Sequence, residues 1–233
     1  MRTIISLLLM TLFIHAGAQQ RVTRLIIGEA ILENELPHEM LFAFPELREA
    51  LLVFTDASQH RTSVNINLYT GDLLFLNQYG RPLVLDDTDI IDRIAIDDEV
   101  WIPIENTFGE VVYRDGPVML VRVKRTTVTD HRKESGFGMM SSTASVSSAS
   151  SVITQDHLFA DTREVNEYDF ETRDRYRLIT PRGTYTAEAR GFFRGFRGVN
   201  RRFVNNFVEE NQIDFSEEED LITLLRAVMA EQQ

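Results

Sequence analysis

From Ala50 to Thr129 the apolar positions recur with a period of two. Val64, Ile66 and Leu68 alternate with Asn65 and Asn67, the pattern of a strand with one dry face. The same reading makes strands of Leu51–Phe54, Leu73–Leu76, Leu83–Leu85, Ile90–Ile96, Val100–Ile102, Val111–Tyr113 and Val118–Lys124. Turn chemistry separates them: Asp56-Ala57-Ser58, Thr70-Gly71-Asp72, Gln78-Tyr79-Gly80, Asp97-Asp98-Glu99 and Arg114-Asp115-Gly116. Short strands at this spacing, with no helical pattern between them to carry a parallel crossover, predict an antiparallel meander. A sheet of this length must curl into a sandwich or an open barrel to bury its dry face.

The flanks read differently. Residues 19–36 predict a strand or short strand pair, and the Pro45-containing run 41–47 an irregular segment or one helical turn. After residue 168 an extended segment runs to Thr180. Pro181-Arg182-Gly183 turns it into a short return strand, Thr184–Thr186. From Ala187 the period becomes helical. Phe192, Phe193 and Phe196 mark one short helix, and Val199, Phe203, Phe207 with Val204, Val208 a second. Ser216 followed by Glu219 has the spacing of a capping box for a last helix carrying Leu221, Leu225 and Val228. These helices need a partner surface for their apolar faces, and the sheet is the expected one. The fold expected is α+β, mainly β.

The first eighteen residues belong to neither pattern. Met1-Arg2 is a basic start, Ile4–Ile14 is almost wholly apolar, and Ala16-Gly17-Ala18 is a small-residue cleavage site. Those are the three parts of a secretory signal peptide. The run falls short of the roughly 20 residues of a spanning helix. The expected organisation is a signal peptide over 1–18, an antiparallel β domain over 19–131, a Gly/Ser-rich flexible loop over 132–156, and a strand pair with C-terminal helices over 157–233. The expected location is the periplasm or the extracellular space. No transmembrane span is expected in the mature chain.

Composition narrows the function. There is no cysteine, which excludes zinc ribbons, thiol nucleophiles and disulfide staples. The formal charge of −12 argues against nucleic acid as a partner. The charge is uneven, however. Nine arginines between Arg173 and Arg202 face only Asp174 and Glu188, a local balance of +7. Within that stretch Arg190, Arg194, Arg197, Arg201 and Arg202 are the candidate anion or partner contacts, and a helix with its arginines outward, answered by the acidic last helix, is the plainer reading.

Other chemistry has weaker signals. Asp86, Asp89, Asp92 and Asp97 lie at expected strand ends, where they would serve as solvated turn formers, as calcium ligands or as the carboxylate pair of a glycan hydrolase. His38, His60, His131 and His157 lack metal-ligand spacing. No phosphate loop and no G-x-S-x-G occurs. Neither a cofactor, a metal nor a catalytic residue is expected.

Four stretches resemble a group of uncharacterised exported β-rich proteins of Gram-negative bacteria. They are Phe44–Leu47, then Val64–Leu76, then Ile94–Pro103, together with Asn211–Leu221 at the end. In that group a signal cleaved before Gln precedes a β-rich region and a closing helix. The resemblance implies location and architecture, and carries no activity or site residue. The function expected is an exported, non-catalytic binding or structural protein of the cell envelope. Its partner would be another envelope protein or a glycan, met by the sheet face and the arginine segment. The alternatives are a carboxylate-dependent hydrolase acting on glycans and a barrel with an internal pocket for a lipid or small ligand.

Overall fold

A computed structural model describes residues 20–27, 36–85, 87–135, 139–141, 151–153, 159–161 and 165–231. The predicted signal segment, Asp86, His157 and most of the serine-rich run lie outside the described residues. The elements in chain order are β1 (Gln20–Ile27), α1 (His38–Leu41), β2 (Arg48–Phe54), β3 (Gln59–Ile66), β4 (Leu73–Leu76), β5 (Pro82–Val84), β6 (Ile91–Ile96), β7 (Glu99–Ile104), β8 (Thr107–Asp115) and β9 (Val118–Ser135). Short strands β10 (Met139–Ser141), β11 (Ser151–Ile153) and β12 (Phe159–Asp161) precede β13 (Val165–Thr180) and β14 (Gly183–Thr186). Helices α2 (Ala189–Gly195), α3 (Arg201–Glu210) and α4 (Glu218–Glu231) end the chain.

The main sheet is antiparallel and open, in the order β1-β13-β9-β8-β7-β6-β2-β3-β4-β5. It consists of two meanders rather than one. Strands β2 to β5 run outward to one edge. A 3-10 turn at Thr88–Ile90 then brings β6 back to pair with β2, and β6 to β9 meander in the other direction. Pro82 suits β5 to this edge, because a strand lacking an amide donor fits an edge better than the middle of a sheet.

Two-residue hairpin turns set the register of the second meander. Asp97 (φ 50°) and Glu105 (φ 55°) occupy the left-handed conformation that the tight turns β6–β7 and β7–β8 require. The registers place Ile94 opposite Trp101, Trp101 opposite Glu110, Glu110 opposite Arg122, and Arg122 opposite Tyr176. Partners across an antiparallel ladder share a face, so these residues define the inner face from β6 to β13.

That face carries two apolar cores. Leu52, Ile66, Leu73, Ile94, Trp101 and Phe108 fill the curl formed by β2 to β8. Leu120 and Leu178 instead underlie the helices, where they meet Phe192, Phe196, Val204, Leu221, Leu225 and Val228. The expected docking of the terminal helices on the sheet is therefore present. The curl is held by α1 and the β3–β4 turn. Thr126 donates its backbone N–H to the Leu68 carbonyl at 2.9 Å and its hydroxyl to the Met40 carbonyl at 2.5 Å.

The cap of α4 differs from the sequence expectation. Ser216 spends its backbone N–H and its hydroxyl on Oδ1 of Asp214, at 2.9 and 2.6 Å. Asp220 reaches back to the Asp214 N–H at 2.8 Å. Among the described hydrogen bonds Ser216 and Glu219 do not form the expected box; the Asp214 carboxylate holds Ser216, and the Asp220 carboxylate holds the Asp214 N–H.

Candidate binding surface

The basic stretch is divided between two surfaces. Along β13, Tyr176 and Leu178 face the helices. Side chains alternate along a strand, so Arg173, Arg175 and Arg177 project from the opposite, outer face. The remaining arginines lie on the helices. Arg190 and Arg194 are exposed on α2, and Arg197 is exposed just after it. Arg201 and Arg202 are exposed in the first turn of α3, with the Arg201 guanidinium 5.7 Å from the Phe193 ring centroid.

The acidic head of α4 ties into the sheet through Glu218. Glu218 pairs with Arg122 of β9 at 3.2 Å, and Arg122 also pairs with Glu110 of β8. This group sits on the inner face between the two apolar cores. Burial opposes the charge of Arg122, but the Glu110 hydrogen bond and the nearby carboxylates outweigh it and raise its pKa. Burial raises the carboxyl of Glu218, with Arg122 opposing and Glu110 adding to the shift. Burial, with Glu218 and Asp174 nearby, pushes the Tyr176 phenol up to about 12. One guanidinium held between two carboxylates is a tie between sheet and helix.

The outer face is organised around β9. Arg125 lies directly opposite Arg173, and Arg175 follows two residues along on the same face. Like charges directly across a ladder destabilise it. Arg173 is compensated by Glu171 at 2.6 Å, and Arg177 by Glu105 at 2.9 Å. Among the described residues, Arg125 and Arg175 form no ion pair.

Arg125 is packed over Gly71, whose φ of +95° and missing side chain make room for it. A Cβ there would lie 2.2 Å from Nη1 of Arg125. That nitrogen is buried without a hydrogen-bond partner, as is the Thr107 hydroxyl near the same glycine. Burial lowers the pKa of Arg125, with Asp72 and Glu105 opposing and Arg175 adding to the fall. Nη1 is thus shut away beneath Gly71, while Arg125 as a whole is half-buried.

Of the predicted carboxylates among the described residues, Asp92 and Asp97 do not converge. Asp87 accepts the Asp89 N–H at 3.0 Å and caps the 3-10 turn. Asp92 pairs with Arg93 at 2.5 Å, and Asp97 pairs with Arg48. Asp92 and Asp97 stand near opposite ends of β6, about 16 Å apart along a strand rising 3.2–3.4 Å per residue. His38 lies 4.7 Å from the Phe42 ring, and His60 is exposed. Among the described residues no group of three or more His, Asp or Glu could hold a metal ion. No described helix is long and apolar enough to cross a membrane.

The outer-face arginines are the feature that sequence reading missed. Their signal was the alternation Arg173-Asp174-Arg175-Tyr176-Arg177, which puts three arginines on one side of a strand. Arg125 became part of the group only through pairing with β13. Comparison with known protein families, with curated proteins and with solved structures gives no match.

Proposed function

We propose that the chain is an exported, non-catalytic binding protein of the cell envelope, and that its outer sheet face takes an acidic glycan. The observation that carries this reading is the row of Arg125, Arg173 and Arg175, in which two arginines oppose each other across a ladder and two lack carboxylate partners among the described residues. The arginines of β13 repeat every second residue, about 6.8 Å apart. A linear array of cations suits a polymer with repeated carboxylates better than a single small anion. Arginine is also the side chain whose planar fork matches a carboxylate bidentately. The sequence resemblance to exported proteins of Gram-negative bacteria supports this reading, since an exported chain would meet such polymers.

Titration calorimetry with oligogalacturonate, against a neutral oligosaccharide of equal length, tests the reading. The acidic ligand is expected to bind and to weaken steeply with added salt. Arg175→Glu, at an exposed position, is expected to reduce affinity at least tenfold, and Arg190→Ala/Arg194→Ala to leave it unchanged. Undiminished binding by Arg175→Glu, or equal binding of the neutral sugar, would overturn the proposal. Export has its own test. N-terminal sequencing of chain recovered from the periplasm of a Gram-negative host is expected to begin at Gln19, and chain retaining Met1 would refute it.

A further inference from the structure

The outer face carries a second feature, separate from the arginine row and independent of the glycan reading. A groove of about 420 Å³ crosses β6 to β9, a volume within the range of small-molecule sites. Val100, Ile102, Val111 and Met119 form its apolar floor, and Asp92, Arg93 and Arg114 its polar rim. It lies outside the curl, whose interior is filled by the Trp101 and Phe108 core.

Two β-bulges build this rim. On β6, Val53 pairs with Arg93 and Phe54 with Ile91, so Asp92 is the extra residue. The bulge lets Ile91 and Ile94 both reach the inner core while Asp92 and Arg93 are both exposed. On β8, Val111 pairs with Val121 and Tyr113 with Leu120, so Val112 is extra. Val112 and Tyr113 then pack with the helix core, which leaves Val111 and Arg114 on the groove side. Bulges re-aim side chains in this way and are over-represented beside binding sites.

The rim also has a defined charge. Asp92 neutralises Arg93 at 2.5 Å. The Arg114 guanidinium has one weak contact, Nε to the Gly116 carbonyl at 3.4 Å, and no ion pair among the described residues. The groove therefore presents an apolar floor with a net charge of +1, from Arg93, Arg114 and Asp92.

We propose that this groove binds a monoanionic amphiphile, a medium-chain carboxylate whose tail lies on Val100, Ile102, Val111 and Met119 and whose headgroup pairs with Arg114. A single unneutralised guanidinium matches a carboxylate of charge −1 better than a phosphate monoester, which carries about −1.5 to −2 at neutral pH. Acetate offers the headgroup without the tail, and decanol the tail without the charge.

Titration calorimetry with decanoate, decyl phosphate, decanol and acetate reads each element. One decanoate per chain is expected, at least tenfold tighter than decanol or decyl phosphate, with no detectable binding of acetate. Arg114→Gln, at an exposed position, is expected to lower decanoate affinity at least tenfold and to leave decanol binding unchanged. Met119→Lys, placing a charge on the floor, is expected to weaken decanoate and decanol alike. Failure to bind decanoate, equal affinity for decanol, preference for decyl phosphate, or an Arg114→Gln variant that binds like the parent would each overturn the proposal. If Met119→Lys fails to fold, Arg114→Gln decides alone.

Discussion

Nη1 of Arg122, in the middle of β9, donates to Oε2 of Glu218 at the head of α4, 3.2 Å away in space and 96 residues on in the chain. The same guanidinium holds Glu110 of β8. This contact stands in the cross-sheet row Trp101, Glu110, Arg122, Tyr176, where the inner face changes from apolar to charged between the core of the curl and the core beneath the helices.

Removing the cation is expected to cost more than the pair itself contributes. Arg122→Met keeps the length of the side chain and leaves two partly buried carboxylates unpaired. Breaking a fully buried pair costs about 3–5 kcal/mol. These side chains retain contact with water, so a loss of about 2 kcal/mol is expected in urea denaturation. Arg122→Met/Glu110→Gln/Glu218→Gln is expected to recover most of it. A single variant as stable as the parent would show that the tie does not hold the helices.

The shifts of Tyr176 and Glu218 have the same sign and act at opposite ends of the pH scale. Both folded-state values are raised, so each group favours folding while protonated. For Tyr176 that contribution is complete below its ordinary value of 10.0 and is lost as pH rises toward about 12. For Glu218 it is complete below 4.5 and is lost as pH rises through the raised folded value. Phenol absorbance is expected to show one tyrosine titrating late. Tyr176→Phe is expected to remove part of the alkaline loss of stability. Glu218→Gln is expected to gain stability relative to the parent as pH rises from 4 to 7; if the difference instead shrinks over that range, Glu218 titrates in the other direction.

Gly191 is required by a close approach of backbone to backbone. A Cβ at this position would lie 1.9 Å from the carbonyl oxygen of Thr186, an atom of the β14 backbone that cannot rotate aside. Gly191→Ala is expected to shift α2 away from β14 and to cost about 3 kcal/mol, toward the upper end of overpacking effects. Thermal denaturation checks the cost. Amide exchange should localise the loosening to α2 and β14, and unchanged protection there would contradict the packing argument.

Pro82 protects the free edge of β5. Asn77 donates to the Arg81 carbonyl and Leu85 to the Leu73 carbonyl, so hydrogen-bonded pairs alternate inward and the N–H positions of residues 82 and 84 face outward. One of those two positions is a proline. The strand is short and its side chains are exposed, Leu83 by 46% and Val84 by 49%. Pro82→Val completes an apolar, fully competent edge. Light scattering is expected to show concentration-dependent self-association of this variant under conditions where the parent is monodisperse, and equal scattering would sink the idea.

Local signals accounted for most elements. The period-two run of Ala50–Thr129 and the turn residues at Gly71, Gly80, Asp97 and Gly116 located the strands of both meanders, because alternation and turn chemistry act over a few neighbouring residues. Spacing of phenylalanines and leucines located α2, α3 and α4 for the same reason. The path of the sheet was not legible in that way. Whether β6 follows β5 or returns to β2 depends on pairing between distant strands, and Pro82 suits β5 to an edge only once β5 has neighbours.

What the chain determined by itself is each residue's local state: strand or helix, buried side or wet side, turn or run, together with the absence of thiols and the excess of arginine after residue 173. Tertiary structure alone decided the company those residues keep. Arg122 found Glu218, Arg125 came to lie opposite Arg173, and two bulges turned Asp92, Arg93 and Arg114 toward one groove. Pairing partners and bulge positions are set by long-range register, and register is a property of two strands together that neither strand's own residues contain.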